Sequence, residues 1–263
     1  MMRALYSAAS GMIAQQYNMD TISNNLANVD TTGFRRNVAR FQDLVYQQLQ
    51  APGAPVGASV VPVGQDVGLG VRVSDSEKIF TQGSLIQTNN PLDVAIQGNG
   101  FFQVTKPDGT TAYTRDGSFK VDANGAIVTA AGYFVQPQIT IPQNATQVQV
   151  GPDGTVTALI PGSTQPQLLG QLQLANFVNP AGLSPVDGGN LYTETAASGA
   201  PVVSQPGLNG AGSLQGGFLE NSNVQVVQEI VNMIVAQRAF EANSKTISAA
   251  DQMIQTAVNM YTP

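Results

Sequence analysis

The chain has 263 residues, enough for a sizeable buried core and two or three structural units. Only 11% of them are charged, the net charge is −6, and cysteine, histidine and tryptophan are absent. Cys/His zinc ligation, thiol nucleophiles and Ser-His triads are thereby excluded, and an acidic chain without a basic patch is not built to neutralise phosphates.

Ordinary soluble domains carry roughly a quarter charged residues. So low a charge fits either a Gly-rich β protein or a surface largely covered in an assembly, where stranded charges are costly. The one cationic cluster, Arg35, Arg36 and Arg40, reads as a solvated or subunit-pairing face. Lack of cysteine fits an oxidising, extracytoplasmic destination reached without disulfides. No run approaches the length needed to span a bilayer. Arg3 followed by Ala4–Ala14 is too poor in apolar residues for a secretory leader, with Ser7, Ser10 and Gly11 inside it, so no cleaved signal is expected.

Residues 3 to about 29 predict one amphipathic helix. Leu5, Met12, Met19 and Leu26 recur at seven-residue spacing, with Ala8, Ile22 and Val29 between them. That spacing keeps one seam of a helix turned toward a partner helix. Gly11 costs about 1 kcal/mol relative to alanine, so this helix is expected to be marginal alone. It should end at Val29-Asp30-Thr31-Thr32-Gly33-Phe34, where Gly33 can take positive φ. Phe41, Leu44 and Val45 then predict a short further helical stretch.

From Ala51 to Gly70 prolines and glycines alternate: Pro52, Gly53, Pro55, Gly57, Pro62 and Gly64 lead, and only Asp66 is charged. This predicts an extended segment. Val56, Val60, Val61 and Val63 make it apolar, so it should lie against something.

Residues 71 to about 218 predict β structure. Short runs such as Val71-Arg72-Val73, Val94-Ala95-Ile96, Phe101 to Val104 and Val148-Gln149-Val150 are separated by turns. Pro107-Asp108-Gly109, Asp122 to Gly125 and Pro152-Asp153-Gly154 are hairpin signals. The spacing suits an all-β domain of mostly antiparallel strands. A second helix should start at a Ser222 or Asn223 cap and run to about Met260. Its apolar positions are Val226, Ile230, Met233, Phe240, Ile247, Ile254, Val258 and Tyr261.

Chemistry finds little purchase. Gly98-Asn99-Gly100 continues into a strand at Phe101-Phe102 instead of opening a helix, so it reads as a tight turn and not a dinucleotide loop. Asp116, Asp122 and Asp153 could form an acid/base or calcium set, but each sits in an Asp-Gly or Asp-x-x-Gly turn suited to bonding its own backbone. The heptads could serve packing inside their own domain. No third helix is available to cover them, which favours self-assembly. The expected fold is α+β and multidomain: residues 1–34 plus 220–263 form a helical polymerisation domain, 35–70 a connecting segment, and 71–219 a central β domain.

The motif Asn24-Asn25-Leu26-Ala27-Asn28-Val29-Asp30-Thr31-Thr32-Gly33-Phe34-Arg35-Arg36 resembles the bacterial flagellar rod and hook protein family. So do Glu220-Asn221-Ser222-Asn223-Val224 and Gln237 to Lys245 near the C-terminus, and Thr88 to Phe102 and Tyr113 to Phe119 between them. The resemblance covers essentially the whole chain. Phe41 to Tyr46, the Pro/Gly stretch, and Leu191 to Thr195 before Ser198-Gly199 bring it nearest the distal-rod branch.

Membership implies a helical homopolymer exported through the flagellar type III apparatus without a cleaved signal. It further implies proximal rod and hook (or hook-junction) subunits at its ends, and peptidoglycan and outer-membrane ring proteins around it. No cofactor, nucleic acid or small-molecule substrate is implied. Rod and hook proteins look alike at both termini, yet one polymer is a stiff shaft and the other a flexible joint. We therefore assign stiffness to the segment containing Pro52, Gly53, Pro55, Pro62 and Gly64. The remaining alternatives are a hook or proximal rod subunit and, in a different class, a secreted β-domain wall hydrolase with coiled-coil arms.

Overall fold

Helical periodicity at the two ends and period-two alternation between them produce two long helices and a mostly antiparallel β domain. The computed structural model describes residues 2–53, 55–56, 59–60, 62–162, 165–186 and 190–261. Gly57 and Val61 lie outside these, as do the side chains of Val56, Val60 and Tyr261. The chain divides into two compact units: Met1–Leu26, Asn37–Glu77 and Gln225–Pro263 form one, and Ala27–Arg36 with Lys78–Val224 the other.

In the helical unit, α1 spans Met2–Ala27 and α2 spans Val226–Tyr261. Gly11, a penalty by propensity, is explained by packing. A Cβ there would lie 2.8 Å from the side-chain nitrogen of Asn243 on α2, so the missing side chain lets the helices approach. Past α1 the chain turns back on a buried amide: Asn25 donates to the Asn37 carbonyl and accepts from the Asn37 N–H, both at 2.8 Å. Asn37–Asp43 then pairs with Val71–Lys78, and an exposed Arg40–Glu77 ion pair at 2.9 Å bridges the ribbon.

The helical stretch expected around Phe41, Leu44 and Val45 is therefore a strand and its exit. A short apolar run carries no decisive period, and a partner strand 30 positions away supplies the ladder. The Pro/Gly stretch is likewise more than a single extended strand. Gln47–Gln50 pairs antiparallel with Gln65–Val67, and further out Pro55–Val56 pairs with Ser59–Val60, making a two-stranded arm. Such a ribbon has two free edges, which is where proline's missing N–H is tolerated. Its root rests on α1, where the Ser10 hydroxyl accepts from the Val71 N–H at 3.3 Å.

The β unit is built around a nine-stranded sheet ordered Lys120–Val121, Ile127–Val128, Phe134–Gln136, Phe101–Thr105, Thr111–Thr114, Leu191–Thr193, Ser184–Val186. Leu174–Asn176 also pairs with Phe101–Thr105 and carries Val202–Ser204. A three-stranded sheet of Gln147–Val150, Thr155–Leu159 and Gln167–Gln171 lies in the same unit. All three predicted hairpin turns form, with Gly109, Gly125 and Gly154 at positive φ. Phe102, Val104, Ile96, Val156, Leu172 and Leu174 form the fully buried core. A second group packs Phe101, Tyr113, Phe177 and Tyr192 edge to face, with Phe80 against them.

Neither expected cap starts α2. The helix begins at Val226, and its first turn closes with the Glu229 N–H on the Gln225 carbonyl. Ser222 accepts from the Val224 N–H outside the helix, and the Asn223 amide is engaged elsewhere, as described next.

Candidate functional site: a charged clasp and two apolar helices

The residues on either side of the two helices are stitched together within the β unit. At Asn28–Phe34 the motif folds on itself: Thr31 N–H and Oγ1 both bond Asn28, and Phe34 N–H bonds the Thr31 carbonyl. Gly33 has φ +68°, and its N–H reaches the Glu220 carbonyl at 2.8 Å. A Cβ on Gly33 would lie 2.8 Å from the Asp116 nitrogen, so glycine is required both by conformation and by space.

The Glu220 carboxylate, with no exposed side-chain surface, accepts Arg35 at 2.7 Å and Arg115 at 3.0 Å. It also accepts the Gly83 N–H at 2.9 Å. Arg115 donates onward to the carbonyls of Gly98 and Gly100, which is the use the structure makes of the Gly98-Asn99-Gly100 turn. Burial pushes the Arg115 guanidinium below its ordinary pKa, with Glu220 opposing the shift. Lys78 stands over the rings of Phe34 and Tyr192, each 5.8 Å away, and burial lowers its pKa too.

Asn223 completes the clasp: its oxygen accepts the Arg36 N–H at 2.8 Å, and its nitrogen donates to the carbonyls of Ile79 and Thr81. The reading of Arg35, Arg36 and Arg40 as one solvated or pairing face is thus corrected. Arg35 is fully buried, Arg40 is exposed on the Glu77 pair, and Arg36 is anchored through its backbone. Sequence reasoning missed Arg35, Arg115 and Glu220 as one group, because their partners lie 105 and 185 positions apart. The available signal was a lone Glu in a charge-poor strand, Phe218–Glu220.

Along α1 the seam positions Leu5, Met12, Met19, Leu26 and the following Val29 are half-buried, and Ala8 and Ile22 are buried. On α2, Met233, Phe240, Ile247 and Ile254 are half-buried, whereas Val226, Ile230 and Val258 are exposed. A strict seven-residue row drifts about 20° per heptad on a straight helix, so one face cannot keep all of it. A second stripe, unread in the sequence, faces outward: Met2, Tyr6, Ile13 and Tyr17 on α1, and Val227, Val231, Ile234 and Val235 on α2. Of the family motif, Asn25, Gly33 and Phe34 are buried, Leu26, Asn28 and Thr31 half-buried, and Asn24 and Ala27 exposed. In the arm, Pro52, Gly53, Pro55 and Pro62 are exposed and Gly64 half-buried against Pro52.

The turn aspartates do what turn aspartates do. Asp122 accepts the N–H groups of Asn124 and Ala126, Asp116 that of Ser118, and Asp153 both donors of Thr155. The Thr155 bonds hold the Asp153 carboxyl below its ordinary pKa. No group of three potential metal-ligating side chains occurs among the described residues. A groove of about 490 Å³ beside strand Gln147–Val150 is lined by amides and hydroxyls such as Asn89, Gln149 and Thr157 and by Val148, Val150 and prolines, and has no titratable side chain. No described helix is long and apolar enough to cross a membrane.

Three family models match consecutive parts of the chain. Residues 5–35 match the flagella basal body rod protein, residues 95–158 the D1 domain of flagellar hook protein FlgE/F/G, and residues 215–260 the C-terminal part of flagellar basal body rod FlgEFG protein. The flagellar basal-body rod protein FlgG of Buchnera aphidicola subsp. Acyrthosiphon pisum is 52% identical over 97% of this chain and 98% of its own length. That of Borreliella burgdorferi is 49% identical over 99% of both. The flagellar hook protein FlgE of Helicobacter mustelae is 46% identical, but over 52% of this chain and 30% of its own. Full-length identity at this level, together with both terminal motifs folded into the clasp, means that the chain belongs to the family of the flagellar basal-body rod protein FlgG.

Proposed function

We propose that the chain is a structural subunit of the distal rod of the flagellar basal body, assembling into a helical tube that transmits torque from motor to hook. The supporting observation is a helical unit without a core of its own. Its buried apolar side chains among the described residues are Ala8, Ala14, Ile22, Ala39, Ala236 and Ala250, of which one is larger than alanine. The other large apolar side chains of its helices are half-buried or exposed, each contributing roughly 1.5–3 kcal/mol if fully buried. A second copy of the chain supplies the cover. The helices within residues 1–34 and 220–263 carry the polymerisation surface.

The same reading gives the partners: proximal rod and hook or hook-junction subunits at the two ends, and peptidoglycan and outer-membrane ring proteins around the shaft. The subunit leaves the cell through the flagellar type III export apparatus without a cleaved signal and performs no catalysis. The arm containing Pro52, Pro55 and Pro62 stiffens the shaft by wedging between neighbours. A rod subunit is favoured over a hook subunit because likeness to the hook protein stops at about half of this chain. Electron microscopy of basal bodies from a strain lacking the protein tests the reading. Rods truncated before the hook are expected, and complete basal bodies would overturn it.

A further inference from the structure

The Arg35–Glu220–Arg115 group is an expensive way to hold a small β unit together. Two guanidiniums share one carboxylate with essentially no solvent, so the group keeps a net positive charge in the interior. The Arg35 Nε and the neighbouring Tyr192 hydroxyl, both buried, make no hydrogen bond in the chain. Buried ion groups of this kind are often matched or bettered in stability by apolar side chains of similar volume. Their particular strength is geometry: a planar guanidinium against a fixed carboxylate allows few arrangements.

The geometry is placed where it matters. The chain passes between the two units near residues 26, 36, 77 and 224. Inside the β unit, Glu220 bonds Arg35 and Gly83, Gly33 bonds the Glu220 carbonyl, and Asn223 joins Arg36 to Ile79 and Thr81. All four exits are thus fixed in one frame, centred on a single carboxylate. Gly83 enforces the closeness, since a Cβ there would collide with the Asn221 carbonyl.

We propose that this buried charge cluster is a positioning device for assembly: it fixes where both terminal helices leave the β unit, so that copies of the chain polymerise in one register, and it serves specificity rather than stability. The proposal rests on the rod-subunit reading. A helical polymer repeats any angular error at every subunit, so a clasp that is merely strong does not suffice; it must also be unique. Arg35, Glu220 and Arg115 are therefore positioning residues and need not touch a neighbouring copy.

The test replaces the cluster by apolar side chains, Arg35→Met, Glu220→Leu and Arg115→Met together. The purified variant is melted beside the wild type, and both chains are supplied to a strain lacking the protein, whose basal bodies are imaged. The expected result is a melting temperature at or above that of the wild type, with rods absent or lacking a regular helical diffraction pattern. Regular wild-type rods from the triple variant overturn the proposal, as does a lowered melting temperature that accounts for the loss.

If the triple variant does not fold, Arg35→Lys decides. It keeps the charge and removes the fork, so a folded protein giving irregular rods supports the clasp, and regular rods refute it. Failure of the rod reading is separable: there the wild-type chain itself would restore no rods.

Discussion

The two units of this chain obey opposite rules. The β unit buries Phe102, Val104, Val156, Leu172 and Leu174 to less than 2% exposure and turns its aspartates onto their own backbones. The helical unit covers alanines and exposes Tyr6, Ile13, Val231 and Val235. One is complete as a single chain. The other has the secondary structure of a packed domain and lacks the packing. The difference separates the two units by what each buries: the β unit has a core of large side chains, and the helical unit leaves large apolar side chains exposed, which the proposed rod subunit would cover with another copy.

That separation can be broken by mutation. Phe102→Ala, deep in the β core and edge-on to Phe119 at 5.0 Å, should cost about 3–5 kcal/mol, seen as a large fall in melting temperature. A small fall would mean that the core repacks. Gly33→Ala should cost about 1–3 kcal/mol through its positive φ, and more from the contact with Asp116. It is expected to loosen the clasp while the β sheet persists, and unchanged amide exchange at Arg35 and Glu220 would refute this.

Ile13→Asp with Val231→Asp should leave the monomer's melting within about 0.5 kcal/mol of wild type, since both sites are exposed. Assembly and motility should be lost, because a carboxylate in a closed helix seam is desolvated without a partner. Normal swimming with stable mutant protein would remove the outward stripe from the interface. Deleting Gly53 to Gly64 spares the Gln47–Gln50 and Gln65–Val67 pair at the arm's root. Rods should still form but curve under electron microscopy; straight rods would relieve the arm of its stiffening role.

The gentlest probe is alkali. Burial, aided by Glu194, pushes the Tyr113 phenol up to about 12, and burial pushes Tyr192 to about 12 against the pull of Arg35 and Arg115. A raised folded pKa means that their stabilisation is complete below the ordinary value of 10 and is lost as pH rises from there toward 12. Of the seven tyrosines, two should therefore ionise last in a tyrosinate absorbance titration, together with unfolding of the β unit. Seven equivalent tyrosines near pH 10 would contradict the buried aromatic cluster.

Local chemistry was legible in advance. Asp-Gly hairpins, the glycine at the end of α1 and the two helices follow from short-range propensity and period, and they stand where the sequence put them. Phe41 to Val45 was misread because five residues have no period to measure, and only the strand at Val71–Lys78 decides their state. The caps of α2 were misread for a related reason. Asn223 has the chemistry of a helix cap, but its amide bonds three separate segments that sequence reasoning cannot know to be adjacent.

By itself, then, the sequence determined the two terminal helices, the β domain between them and its Asp-Gly hairpins, the absence of a Cys- or His-based catalytic or metal centre, and the family. The tertiary structure alone decided which apolar face of each helix is covered and which is left exposed. It also decided that Arg35, Arg115 and Glu220 are one group. The physical reason is range. Backbone propensity and side-chain period act over a few residues, whereas a buried charge is tolerable only where distant segments meet with complementary geometry, and that meeting exists only in the folded chain.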